Sequence, residues 1–186
     1  MTSIRRFNTD DLISIQTQNL LSLPENYTMK YYYFHLITAP ELSWVAVDDK
    51  NHVVGYVLAK VDDDDSTCGA ITSVAVNRNY RRLGLANRLI RQSQRKMMEI
   101  YNLKRCRLNV RESNYAAQHL YEKTLGFKRI DVDVKYYADG ENGVKMEQDL
   151  VALRAELGLP AFKGEASNED SASEKASEKK SKKNKK

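Results

Sequence analysis

The sequence predicts an α/β fold (an α+β mixed sheet): one central sheet flanked by helices. Three observations predict it. Apolar, β-branched runs recur at residues 43–47, 53–61 and 70–76 with only polar turns between them, the pattern of strands joined by hairpins. Later strand candidates, at residues 106–110 and 127–134, are instead separated by a helical stretch. A chain of 186 residues with 41% apolar content can build one sizeable core and is too short for two comfortable ones.

In chain order, residues 3–7 read as a first strand. Thr9, Asp10 and Asp11 offer a helix cap with acid in the first turn, and Leu12, Ile15 and Leu20 follow at roughly helical spacing. A second helix is expected over residues 29–37. The three strands named above come next, and the four aspartates within residues 62–67 mark a hairpin loop. Residues 86–101 carry Leu89, Ile90, Met97 and Ile100 on one face of a long amphipathic helix. A strand at 106–110 precedes a helix at 114–125, which Gly126 can close in a left-handed conformation. Strands at 127–134 and 144–148 flank a turn at Asp139-Gly140, and residues 150–157 add a short helix. The expected organisation is a domain at 1–150, a helical extension at 151–163 and a charged tail at 164–186.

That tail is rich in Ser, Glu, Ala and Lys and lacks aromatic residues, so it cannot bury enough apolar area to repay ordering and is expected to be disordered. It carries 7 Lys against 5 Asp and Glu, with the lysines gathered at the end. A contact with nucleic acid, ribosome or an acidic protein is one reading, and a solubilising tail is the other. No apolar run approaches the roughly 18 residues of a membrane span, and no apolar stretch follows the first residues as in a secretory leader. Cys68 and Cys106 have no metal-like spacing and read as reduced thiols of a cytosolic protein, with a disulfide as the alternative. His35, His52 and His119 are scattered, so no metal site is expected.

Residues 74–87 carry the chemistry. A strand ending near Val74, Ala75 and Val76 leads through a polar loop to Arg81, Arg82, Leu83, Gly84, Leu85, Ala86 and Asn87, where the long helix opens. Small residues let a ligand approach the backbone, and free amides at a helix start suit a pyrophosphate, with two arginines beside it. Read alone, the segment is also an ordinary strand–loop–helix joint with solvated arginines.

Arg81-Arg82-Leu83-Gly84-Leu85-Ala86 resembles the R/Q-x-x-G-x-G/A signature of the GNAT acetyltransferase superfamily. Leu23-Pro24-Glu25-Asn26-Tyr27, Val54-Gly55-Tyr56-Val57-Leu58-Ala59-Lys60, Ile71-Thr72-Ser73 and Lys135-Tyr136-Tyr137-Ala138-Asp139-Gly140 extend the likeness to the catalytic subunits of eukaryotic N-terminal acetyltransferase A (NatA) complexes. The matching segments run from about residue 4 to residue 150. The resemblance implies the GNAT acyl-CoA N-acyltransferase fold, acetyl-CoA as cofactor and a protein N-terminus as acceptor. Residues 74–76 and 81–87 would hold the cofactor, with Asn114 and Tyr121 on the following helix. Leu23, Glu25 and Tyr27 would contact the peptide from one side, Tyr136 and Tyr137 from the other, with Arg111 supporting the site. Glu25, Tyr137 and Tyr121 are the implied catalytic groups. Without the resemblance, Asn114 reads as an ordinary N-cap, Tyr121 as core, and Glu25 as the last member of a capping box begun by Ser22.

The implied reaction is direct attack of an α-amine on the thioester. With its partner, a large helical-repeat auxiliary subunit at the ribosome, the enzyme would act in the cytoplasm, with the nucleus as a second location, on nascent chains beginning with Ser, Ala, Thr or Gly. Alone it would favour acidic N-termini. Asn109 departs from the pattern, because relatives carry His two positions before the arginine, and Asn cannot take a proton near neutral pH. Cys68-Gly69-Ala70 departs too, where relatives often place His beside the Ile. Alternatives are a lysine or small-amine acetyltransferase and an inactive acyl-CoA-binding scaffold.

Overall fold

β1 (Ser3–Arg6) leads through a 3₁₀ turn at Thr9–Asp11 into α1 (Leu12–Ser22) and then α2 (Met29–Thr38). β2 (Trp44–Val47), β3 (Val53–Val61) and β4 (Cys68–Val76) form an antiparallel meander with β1 at its edge. α3 (Leu85–Glu99) carries the chain over to β5 (Arg105–Arg111), which lies parallel to β4. α4 (Tyr115–His119) continues as a π-helical turn at Leu120–Leu125, and β6 (Lys128–Asp133), β7 (Gly143–Asp149) and α5 (Leu150–Glu156) follow. The sheet order is β1-β2-β3-β4-β5-β7-β6, the mixed sheet expected from the sequence. This computed structural model describes residues 1–160 and 162, so the expected disorder of the tail at 164–186 concerns residues outside the description.

Packing follows from the strand pattern. In β3 the successive residues Tyr56, Val57, Leu58 and Ala59 are all fully buried, so both faces of the sheet are covered at its centre. Phe7, Leu12, Ile15 and Tyr32 pack on one side against Tyr56, Leu58 and Ala75. α3 packs on β2, β3 and β4 through fully buried Leu89, Ile90 and Met97. Residues 1–151 form one compact unit and the residues from Ala152 a second. Within the second, the Arg154 guanidinium donates to the Pro160 carbonyl and stands 4.2 Å from the centre of the Phe162 ring.

The site depends on one irregularity. β4 pairs with β5 only from Cys68↔Arg105 to Ile71↔Leu108, although β4 runs on to Val76 and β5 to Arg111. Opposite β3 the register steps from Leu58↔Ser73 to Ala59↔Ile71, which leaves Thr72 as an extra, bulged residue. β4 bends at that bulge, the two strands part, and a wedge opens in the middle of the sheet.

Several local expectations are corrected. The first cap is Asn8, not residues 9–11: its side chain accepts from Asp10 N, and the Asp11 carboxylate takes the Asn8 amide in return. Leu20 is exposed, because the inner line of α1 continues from Ile15 to Asn19. The helix expected at 114–125 changes to π geometry at Leu120, so the seven residues from Asn114 to Tyr121 no longer equal two α-turns. Gly126 ends it with φ 80°, as expected. Glu25 ties off no helix, since α1 has ended at Ser22 and Thr28 is the N-cap of α2.

Candidate active site

Two features build the cofactor side. Gly84 is the N-cap of α3 with φ 75° and no side-chain cap, and the first backbone bond of the helix is Arg88 N to Gly84 O at 3.0 Å. The amides of Leu85, Ala86 and Asn87 therefore have no partner within the helix. Arg82 also takes a left-handed φ of 64°, which gathers amides into an anion-binding concavity. Arg81 closes the loop by donating from Nε to the Val76 carbonyl at 3.0 Å. Leu83 is exposed, and Asn87 keeps Oδ1 buried without a partner. The second feature is the wedge. Backbone groups of Val74, Ala75 and Val76 that face β5 have lost their strand partner, so an amide-bearing chain can lie along them as a strand would. A pyrophosphate fits the helix start, and the amides of a pantetheine arm fit the open edge.

Arg111 ends β5 and organises the acceptor side. Its Nε donates to Glu25 Oε1 at 2.6 Å, and Nη1 donates to Asp139 Oδ2 at 2.7 Å and Glu141 Oε2 at 2.6 Å. The guanidinium also stands 4.2 Å from the centre of the Tyr137 ring. One cation thus joins the α1–α2 loop to the β6–β7 hairpin. Burial works against the Arg111 charge, but hydrogen bonds to Glu141, Asp139 and Glu25 outweigh it and raise its pKa. Glu141 is held below the usual carboxylate range by Ser113 and then by Arg111. Gln118 steadies the strand end, donating from Nε2 to the Arg111 and Glu112 carbonyls at 2.9 and 2.8 Å.

Tyrosines line the space between. The Tyr27 and Tyr31 rings stack at 4.1 Å, and the Tyr136 and Tyr137 rings meet edge-on at 5.0 Å. Burial, reinforced by Glu25, pushes the hydroxyls of Tyr27 and Tyr137 up, so both stay protonated. Tyr121 lies close enough to influence Tyr137, and burial pushes its own hydroxyl up to about 12. A hydroxyl that keeps its proton can donate to a developing thiolate or oxyanion. Leu23 packs on the core beneath the loop. Asn114 caps α4 by accepting from Ala117 N at 3.1 Å.

A family model described as the acetyltransferase (GNAT) family matches residues 9–127. The chain belongs to the GNAT acetyltransferase family. Within it the chain groups with the N-alpha-acetyltransferases. It is 49% identical over 166 residues to the N-alpha-acetyltransferase daf-31 of Caenorhabditis elegans, covering 88% of this chain and 91% of that protein. It is 51% identical over 154 residues to the N-terminal acetyltransferase A complex catalytic subunit ard1 of Schizosaccharomyces pombe, covering 81% and 87%. A solved NatC complex bound to Gag peptide and CoA matches with a TM-score of 0.74 at 27% identity, over 80% of this chain and 98% of that one.

This GNAT enzyme uses acetyl-CoA, and its wedge and helix start present backbone groups without a partner in the sheet or helix. The structure brings Glu25, Tyr27, Arg111, Tyr121, Tyr136 and Tyr137 together. Asn109, in the usual His position, instead donates to Asp133 Oδ2 at 3.1 Å and belongs to the sheet. Both cysteines are free and buried, so the disulfide alternative falls away. Burial pushes the Cys68 thiol up to about 12 and raises Cys106 as well, which leaves neither as a nucleophile. Asp139 was read in the sequence only as part of a turn and a motif, with no role in the site, and Glu141 was not singled out; the only signal for their role was an acidic turn beside two tyrosines.

Proposed function

We propose that this GNAT enzyme transfers acetyl from acetyl-CoA to the free α-amine of nascent proteins, with Ser, Ala, Thr and Gly preferred as first residues. The observation that carries the reading is Arg111 drawing the Glu25 loop and the Tyr136–Tyr137 hairpin together beside the wedge. A chain terminus can pass between two such rims, and the carboxylates of Glu25, Asp139 and Glu141 outnumber the cation, which favours an incoming ammonium group. The amine loses a proton, attacks the thioester carbonyl, and the thiolate leaves with a proton from a nearby hydroxyl, Tyr121 or Tyr137.

We further propose a helical-repeat auxiliary subunit and a place of action at cytoplasmic ribosomes. The supporting observation is an apolar row on each of the first two helices, Ile13, Leu20 and Leu21 on α1 and Tyr33, Phe34 and Ile37 on α2, all exposed. The test is a panel of peptides with defined first residues, assayed with and without that subunit. Each peptide also carries an internal lysine. Transfer to the α-amine, abolished by blocking the N-terminus, is expected. Transfer to lysine in the blocked peptide would overturn the reading.

A further inference from the structure

The proton leaving the acceptor amine needs a destination, and Asn109 is committed to Asp133. His35 offers one. It is 1% exposed, on the inner side of α2. Its Nδ1 lies 2.9 Å from the carbonyl oxygen of Tyr31, one helical turn earlier. A carbonyl can only accept, so Nδ1 carries the proton and Nε2 presents its lone pair. Oγ1 of Thr72 lies 2.8 Å from Nε2 and donates to it. Thr72 is the bulged residue at which β4 and β5 part.

The same Oγ1 is 3.2 Å from the Leu58 carbonyl oxygen. One hydroxyl proton thus has two acceptors. With neutral imidazole the proton goes to Nε2. With imidazolium, Nε2–H donates to Oγ1 and the hydroxyl turns to Leu58. The same heavy-atom positions serve both protonation states of His35. On the site side, the half-buried Tyr31 stacks its ring on Tyr27 at 4.1 Å, and its hydroxyl has Thr72 and Tyr27 as hydrogen-bonding neighbours.

We propose that Tyr31, Thr72 and His35 form a proton line that takes a proton from the acceptor amine and holds it on His35 Nε2. The inference rests on the α-amine reading of the acceptor. An N–H bond of the ammonium breaks and its proton binds Tyr31 Oη. Tyr31 passes its own proton to Thr72 Oγ1, and Thr72 passes its own to Nε2. The amine regains its lone pair, and the positive charge moves to the imidazole. After product leaves, the proton returns to solvent by the reverse route. His35 acts through the two hydroxyls and is a positioning residue.

The surroundings suit that role. From its own helix the Tyr31 and Phe34 rings meet the imidazole, with centres 4.6 and 5.7 Å away. From β4 comes Thr72, and from β3 comes Lys60, whose charge is held by Asp63 and over the Phe34 ring. Tyr56 from β3 and Tyr136 from the hairpin bear on Tyr31. Burial, aided by Lys60 and opposed by the Tyr31 carbonyl, keeps the imidazole pKa below its usual value. His35 is therefore neutral at physiological pH with its Nε2 lone pair free to take a proton in passing, and it releases that proton readily.

The test follows acetylation of a free-N-terminus peptide from pH 6 to pH 9.5 by the wild type, His35→Gln, Thr72→Val and Thr72→Ser. Wild-type turnover is checked first at pH 9, where the amine is already neutral; none there overturns the α-amine reading and this inference with it. An α-amine of pKa ~7.7–8.0 is about one-tenth neutral near pH 7, so the line is worth about tenfold in kcat there. His35→Gln and Thr72→Val should each lose about that factor at pH 7 with KM for acetyl-CoA unchanged. The loss should close by pH 9, and Thr72→Ser should track the wild type. Variant profiles that parallel the wild type at every pH, whether equal to it or lower by a constant factor, would overturn the line.

Discussion

Arg111 satisfies three carboxylates at once, so its removal does more than delete a charge. Glu25, Asp139 and Glu141 would be left facing one another, and like charges at such range repel. Arg111→Ala is expected to lower kcat/KM for peptide about 100-fold or more, of the order seen when a buried, hydrogen-bonded pair is broken, while acetyl-CoA affinity is retained. Steady-state kinetics beside a direct cofactor titration separate the two. Arg111→Lys should restore only part, because a single ammonium cannot reproduce a fork that meets two rims. At this scale the sequence was readable wherever a motif repeats a family's spelling: Glu25, Arg111, Tyr136 and Tyr137 were all found that way. Asp139 stood inside such a motif without a role, and Glu141 outside it, because their meaning lies in a partner 28 and 30 residues away. His35 was passed over for a similar reason. Its neighbour Thr72 lies 37 residues on, and nothing in a helix marks which side chain will meet a bulge.

The β6–β7 hairpin is the element on which the acceptor side turns. Gly143 begins β7, and a Cβ placed there would come within 2.9 Å of Tyr136 Cγ. Gly143→Ala is therefore expected to push Tyr136 aside, raising KM for peptide several-fold with little change in acetyl-CoA binding; parallel saturation curves for both substrates check this. The hairpin's acidic side also sets a pH limit. Asp139 is held low by the Glu141 amide and then by Arg111, and Glu141 by Ser113 and then Arg111. Carboxylates with lowered pKa contribute fully above their unfolded values and lose that contribution as pH falls through their folded ones. Ring resonances of Tyr136 and Tyr137 should hold steady from pH 7 to 5 and shift only below about pH 4. Element types were legible because periodicity changes from strand to helix along the chain. The bulge at Thr72 and the π turn at Leu120 were not, since each is one residue of register that leaves the hydrophobic pattern intact. Asn8 as the cap was missed for a plainer reason: Thr9 and the two aspartates beside it are equally good candidates by type.

At the scale of the whole molecule, residues 1–151 owe their chemistry to a sheet that is paired everywhere except along one interior seam. The fold class and element order followed from pattern alone, and acetyl-CoA followed from the likeness of residues 81–86 to the GNAT signature; the seam between strands needed coordinates. That seam also bears on stability. A sheet interrupted at its centre leaves unpaired strand edges, and acetyl-CoA bound along them would double as a structural member. Binding to the folded state alone adds about 2.7 kcal/mol at a hundredfold excess over Kd, which for a chain of this size is roughly 5–11 °C in Tm. Differential scanning fluorimetry across a cofactor series should show that rise, and a flat series would mean that the seam is closed by something other than the cofactor. The thermal endurance of this enzyme would then track the acetyl-CoA level around it, making its persistence in solution a readout of acetyl supply.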